Sequence, residues 1–211
     1  MIRSRLMIAA AAVALAGGVS GCALLSTPDP VQLYRFGGAS AFAGTGATSA
    51  CPEVHVALRR VDFVEAARGD RVLAVTGAEA AYIKGARWVS PSEILFEEAL
   101  RNAFLDGAAC TVLSSGPIAR DGLLLNVDVR RFEATYAAPG AVPDANIVVL
   151  LRLMQPGDRS IVAEDRISVS DSAGENRQSA IVAAFDRATA EVSRQIVVWT
   201  DQQASQAARG S

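Results

Sequence analysis

The sequence predicts an α+β domain, a two-layer α/β arrangement in which a largely antiparallel sheet carries two amphipathic helices packed on one face. Several segments alternate apolar and polar residues with the period of two that a half-buried strand requires, the longest running from Leu123 to Tyr136. Two others, around 92–106 and 176–203, repeat apolar residues at three- and four-residue steps, and each shows one apolar stripe that needs a partner surface. Gln155-Pro156-Gly157-Asp158 separates two strand-like runs with Pro-Gly turn chemistry, the mark of a hairpin. One-faced helices interspersed with such strands satisfy their stripes by lying together on one side of the sheet.

The chain opens with a cationic stretch holding Arg3 and Arg5, then an apolar run from Leu6 to Ala16, then small residues, which is the layout of a secretory signal. The apolar run is shorter than the roughly 18 residues that cross a hydrocarbon core, so a signal peptide over 1–21 is favoured over a retained span. Val19-Ser20-Gly21-Cys22 resembles the lipobox of bacterial lipoproteins: a branched apolar residue, two small ones that fit a peptidase groove, and the thiol that receives diacylglycerol. That resemblance implies lipidation of Cys22, which would become the mature N-terminus with a palmitate-type chain on its amine. Two or more hydrocarbon chains, at about 0.8 kcal/mol per buried CH₂, give stable attachment. Ala23 is not the aspartate that retains diderm lipoproteins at the inner membrane, so the resemblance implies a cell-envelope location, the outer membrane, with the domain facing the periplasm.

Residues 22–30 read as a lipidated tether of small, polar and proline residues that cannot form a core. Val31 to Phe36 alternates as a first strand, and the Gly-, Ala-, Ser- and Thr-rich stretch Gly37 to Ala50 reads as a flexible loop. Val54 to Arg59 and Arg71 to Val75 give two short strands. At Val89-Ser90-Pro91-Ser92-Glu93-Ile94, Ser90 can cap a helix, Pro91 fits its first position, Glu93 completes a capping box, and Val89 with Ile94 fits a hydrophobic staple. The helix then runs to about Asp106 with Leu95, Phe96, Ala99, Leu100, Ala103 and Phe104 on one face, and Gly107 stops it. Cys110 to Ser114 is a short strand, and 146–154 and 160–170 form the hairpin. The last helix spans about 176–203, with Ile181, Phe185, Ala188, Val192, Ile196 and Trp199 in its stripe. The domain is therefore expected over 31–203, with a flexible tail over 204–211.

Removing the leader leaves about 190 residues, which suits one domain. Formal net charge is −2, and without the two leader arginines the mature part is −4, so no basic stripe marks a nucleic-acid partner. Aromatics are only 6% of the chain, so an aliphatic core is expected. With Cys22 committed to lipid, Cys51 and Cys110 remain in an oxidising compartment, where a disulfide candidate competes with two buried free thiols.

No catalytic constellation stands out, and the protein reads as not an enzyme. His55 is the sole histidine, set in an alternating strand without a ligand group beside it, so neither a metal site nor a nucleophilic triad is supported. There is no phosphate loop, no Gly-x-Ser-x-Gly elbow and no cofactor fingerprint. Glu97 with Glu98, Asp62 with Glu65, and Glu164 with Asp165 read as solvated faces or turns. Arg87-Trp88 before the capped helix fits a core plug covered by an arginine stem, with a protein contact as the other reading.

Gly69-Asp70-Arg71-Val72-Leu73-Ala74-Val75, followed by Ala80-Ala81-Tyr82-Ile83-Lys84-Gly85-Ala86-Arg87-Trp88, resembles the ABC-type transport auxiliary lipoprotein family, which includes PqiC (YmbA). In that family an Asp-Arg-Ile type strand precedes a Tyr-containing strand, an Ala-Arg-Trp step and a helix. Gln32 to Arg35, Val127 to Glu133 and Leu151-Arg152-Leu153 resemble the same family in the same order, whereas the loop 37–50 with Cys51 is longer than its pattern. Arg71, Tyr82, Arg87 and Trp88 are thus the motif or contact residues. The resemblance implies an accessory lipoprotein that works with ABC transporter subunits and an Mce-type (MlaD-like) protein in moving phospholipid or another hydrophobic substrate between membranes. It implies binding and docking, no nucleotide site, and leaves a homo-oligomer open. An alternative needs only anchor, tether and domain: a structural lipoprotein linking the outer membrane to peptidoglycan or an assembly machine.

Overall fold

A computed structural model describes residues 30–42, 51–114 and 122–210. Residues 1–29, which hold the expected signal peptide, Cys22 and most of the expected tether, lie outside the described residues. The strands are β1 (Gln32–Tyr34), β2 (Val54–Leu58), β3 (Asp62–Phe63), β4 (Arg71–Thr76), β5 (Glu79–Trp88), β6 (Thr111–Leu113), β7 (Leu123–Tyr136), β8 (Asp144–Met154) and β9 (Ile161–Ser172). A single 3-10 turn (Glu65–Ala67) precedes β4, and the helices are α1 (Ser92–Gly107) and α2 (Gln178–Gly210).

β7 organises the sheet. One edge pairs with antiparallel β8, which pairs in turn with antiparallel β9, the hairpin that the Pro-Gly turn predicts. The other edge is shared by three short strands that run in its own direction: β2 beside Leu123–Leu125, β3 beside Asp128–Val129 and β4 beside Ala134–Tyr136. β5 folds back on β4, β1 lies parallel to β5, and β6 lies parallel to β2. The sheet is therefore mixed rather than largely antiparallel, with five of its eight described pairings parallel. The period of two reports which face is buried, not the direction of the neighbour; direction follows from crossovers such as α1, which returns the chain so that β6 can run with β2.

Along β7, Leu123, Leu125, Val127 and Val129 are buried, as the alternation requires. Strict alternation would then send Phe132 to the opposite face. The register instead shifts between Val129 and Arg131, so that Val129 faces Val149, Phe132 faces Ile147, and Arg130 is the extra residue of a β-bulge. Both arginines remain exposed while Phe132 and Ala134 return to the core.

Phe132 becomes the hub of an aromatic cluster. Its ring lies 4.8 Å from Phe185 of α2, 5.1 Å from Phe36, 5.5 Å from Phe63 of β3, 6.3 Å from Trp88 of β5 and 6.4 Å from Phe96 of α1. Because one inward side chain of β7 touches both helices, α1 and α2 share that face of the sheet. The expected aliphatic core is corrected here: aromatics are few but converge, surrounded by Leu100, Leu125, Ile147, Leu151 and Ile196.

At the start of α1 the expected capping box is not formed. Pro91 is the N-cap, with no side-chain cap bond, and Glu93 Oε2 accepts instead from the Gly69 amide at 3.0 Å. The buried Ser92 hydroxyl donates to the Ala67 carbonyl, and Val89 and Ile94 stay exposed. A tertiary partner, the chain around 67–69, has outcompeted the local cap. α2 continues to Gly210 rather than ending near Gln203, because Ala204 and Ser205 are buried in its stripe; the residues expected to form a tail from 204 are helical through 210.

Cys51 and Cys110 form a disulfide with a Cα–Cα distance of 5.7 Å, beside the β2–β6 pairing. Closing a loop with a sequence separation of 59 stabilises the fold by about 4 kcal/mol in the chain-entropy model.

Replacing Phe132 by Ala should remove contacts to five rings at once, with an expected loss of about 3–5 kcal/mol in urea unfolding. A loss below about 1 kcal/mol would mean that the cluster is peripheral to stability.

Candidate functional site

The motif residues gather on the β4–β5 unit. Arg71 and Arg87 are register partners across the two strands. The Arg71 guanidinium lies 3.7 Å above the Tyr82 ring, a cation–π stack, and the Tyr82 hydroxyl donates to the Ala66 carbonyl at 3.0 Å. Arg87 donates to both Asp70 carboxylate oxygens at 2.8 Å, and the Trp88 amide donates to the Asp70 carbonyl at 2.7 Å. Gly85 takes a positive φ of 74° where β5 bends between its pairing with Leu73 and its pairing with Arg71, a backbone geometry that favours glycine. Arg71, Tyr82 and Arg87 are thus brought together on the exposed side, while Trp88 is buried against Phe36 and Phe185.

Two aspartates of α2 hold neighbouring segments, and the sequence reading singled out neither. Asp186 Oδ1 accepts from three successive amides, Gly37 at 2.7 Å, Gly38 at 2.9 Å and Ala39 at 3.2 Å. Asp201 does the same further along, accepting from Ala109 at 2.7 Å, Cys110 at 3.3 Å and Thr111 at 2.9 Å. Residues 37–42 are consequently docked rather than the flexible start of a loop. Gly37 has φ 84° and lies so near Ala99 of α1 that a Cβ would sit 2.9 Å from the alanine methyl, and the Phe42 ring occupies the space that a side chain at Gly107 would need. Residues 43–50 of that predicted loop lie outside the described residues. The only cues available in the sequence were Gly37-Gly38 and the small residues opposite them, which are equally the composition of a loose loop.

Of the carboxylates read as solvated faces or turns, three have arginine partners. Glu97 bonds Arg101, Glu65 pairs with Arg68 at 3.2 Å, and Glu164 bonds Arg152. His55 is half exposed and 3.7 Å from Glu53. Among the described residues no group of three or more His, Cys, Asp or Glu side chains is placed to hold a metal. Burial raises the Glu133 carboxyl above its usual range, with Arg131 pulling it partly back, and the Arg194 guanidinium lowers that of Glu191. These shifts belong to separate ion pairs, one on β7 and one on α2, not to a convergent pocket. What the arrangement offers chemically is recognition: an exposed arginine–tyrosine stack with a second, oriented arginine on a rigid sheet.

A family model described as the ABC-type transport auxiliary lipoprotein component matches residues 39–197 of the 211. The chain belongs to this family. ABC-type transport auxiliary lipoproteins are components of transport systems rather than an enzyme family, and membership makes this a lipoprotein of the cell envelope. Protein XCC0632 from Xanthomonas campestris has the same fold, with 24% identity over 84% of this chain and 99% of its own, at a TM-score of 0.72. A crystal structure of an uncharacterized protein is similar at 17% identity and a TM-score of 0.62, covering 81% of this chain and 99% of that one. Comparison with curated protein sequences gave no match. No helix of the described residues is long and apolar enough to cross a membrane.

Two consequences can be measured. Asp186→Ala leaves three amides without their acceptor, so it should lower stability by about 1–2 kcal/mol and open residues 37–42 to proteolysis; unchanged cleavage there would show that the loop is held by other means. Glu133 has a raised folded-state pKa, so ionising it costs stability, and that cost appears as pH rises from about 4.5 through the folded-state value. Glu133→Gln should therefore raise Tm at neutral pH and not under acid conditions below that range, whereas an equal shift at both would contradict the assignment.

Proposed function

We propose that this protein is the membrane-anchored periplasmic accessory subunit of an Mce-type ABC transport system, moving phospholipid or another hydrophobic molecule between inner and outer membranes. The observation that carries the reading is the family match, which runs without a break through the β4–β5 motif, the hub strand β7 and most of α2. In this reading Cys22 bears the acyl chains, Ala23 directs the lipoprotein to the outer membrane, and the domain presents a folded surface to its partners from there. The subunit acts by docking. Two of its aspartates lock segments of the fold, Glu97, Glu164 and Asp171 are paired with arginines, and Arg71, Tyr82 and Arg87 are held in set positions on the exposed surface.

Crosslinking in intact cells followed by purification from membranes tests the proposal. The wild-type protein should recover an Mce-type subunit together with the permease or ATPase, and Cys22→Ser should leave the membrane fraction and lose that recovery. Recovery of peptidoglycan fragments with no transporter subunit would contradict it and support the structural-lipoprotein alternative.

A further inference from the structure

We propose that the outer surface of β1 and β5, where the tether enters the domain, seats directly on the bilayer that holds the anchor. This rests on the lipidation of Cys22 argued above and adds a defined surface to it. Gln32 and Tyr34 pair in register with the buried Ala86 and Trp88, so the alternate residues Leu33 and Arg87 point outward side by side. Val31, two residues before Leu33 on the same side of the strand, is 51% exposed and Leu33 is 61% exposed. Val89 follows Arg87 by two residues, is 52% exposed, and is held next to β1 by its amide N–H, which donates to the Tyr34 carbonyl at 2.8 Å. Three exposed apolar side chains are thus set on or immediately beside two neighbouring strands. Arg87, paired with the exposed Asp70 carboxylate, and its register partner Arg71, stacked on Tyr82, continue the patch onto β4.

The mixture of aliphatic, aromatic and cationic groups is the composition that settles at a membrane interface, with apolar atoms at the acyl boundary and guanidinium groups among phosphates. A protein surface could share that composition; the tether decides between them. Cys22 precedes Val31 by nine residues, a chain that reaches at most about 30 Å. A chain of that reach keeps Val31 and its neighbours at high effective concentration beside the lipid. The patch lies where the tether joins the domain, since Val31 directly follows residue 30.

The full lipoprotein, reconstituted into vesicles of phosphatidylethanolamine and phosphatidylglycerol with acyl-brominated lipid, gives the test. Trp reporters are introduced one at a time as Leu33→Trp, Val89→Trp and, on the exposed β8–β9 turn, Gln155→Trp, with the native Trp88 and Trp199 as common background. The two patch reporters should be quenched about twofold or more over the turn reporter, and Leu33→Asp combined with Val89→Trp should abolish the difference. Equal quenching of all three, in protein that still floats with the vesicles, would overturn the seating while leaving the anchor intact. Equal quenching with a dimer in sedimentation would assign the patch to a second copy. Failure to float would overturn the anchor, and the seating with it.

Discussion

Phe132 joins the two layers of this fold, and it does so because one surplus residue in β7 turns it inward. Without the bulge at Arg130, the period of the strand would place its ring on the solvent side and Arg131 in the core. With it, five other rings from the β1 exit, β3, β5, α1 and α2 converge on a single side chain. The neighbouring rings are tilted or edge-on, geometries in which aromatic pairs add about 0.5–1.5 kcal/mol beyond burial alone. A chain poor in aromatics can therefore still have an aromatic centre.

Around that hub, polar ties fix the periphery. Asp186 and Asp201, on one helix, each gather three successive amides that would otherwise lie at an unpaired bend. The disulfide reinforces the second of these places, joining Cys110 to the chain that leads into β2. The result is a sheet whose helical face is closed by packing and whose hairpin β4–β5 holds its exposed arginines in set positions through Tyr82 and Asp70. Such a body suits a subunit that works by presenting a surface, and the family to which it belongs is one of transporter auxiliaries.

The sequence made the long elements legible and left their neighbours ambiguous. β7 from Leu123 to Tyr136 and the stripe from Ile181 to Ile196 on α2 could be read directly, because each element repeats its own period many times. Arg130-Arg131 hid the bulge, since two exposed arginines suit an interrupted strand as well as a continuous one. Strand direction was misjudged because short strands such as β2, β3 and β4 carry no record of which partner they join. Ser90 and Glu93 matched a capping box, but Gly69 offered Glu93 a donor that only the folded chain brings near. Asp186 looked like any solvent-facing helix acid. The site residues Arg71, Tyr82, Arg87 and Trp88 were legible through family resemblance alone, and composition could not have separated the buried Trp88 from its exposed neighbours.

If Phe132 couples both helices to the sheet, α1, α2 and β7 open together or not at all. Native-state hydrogen exchange measures this most directly. The slowest amides of all three elements should share one opening free energy equal to that of global unfolding, and Phe132→Leu should lower all three by the same amount. Exchange of α1 or α2 through a separate, lower-energy opening that the substitution leaves unchanged would contradict the account.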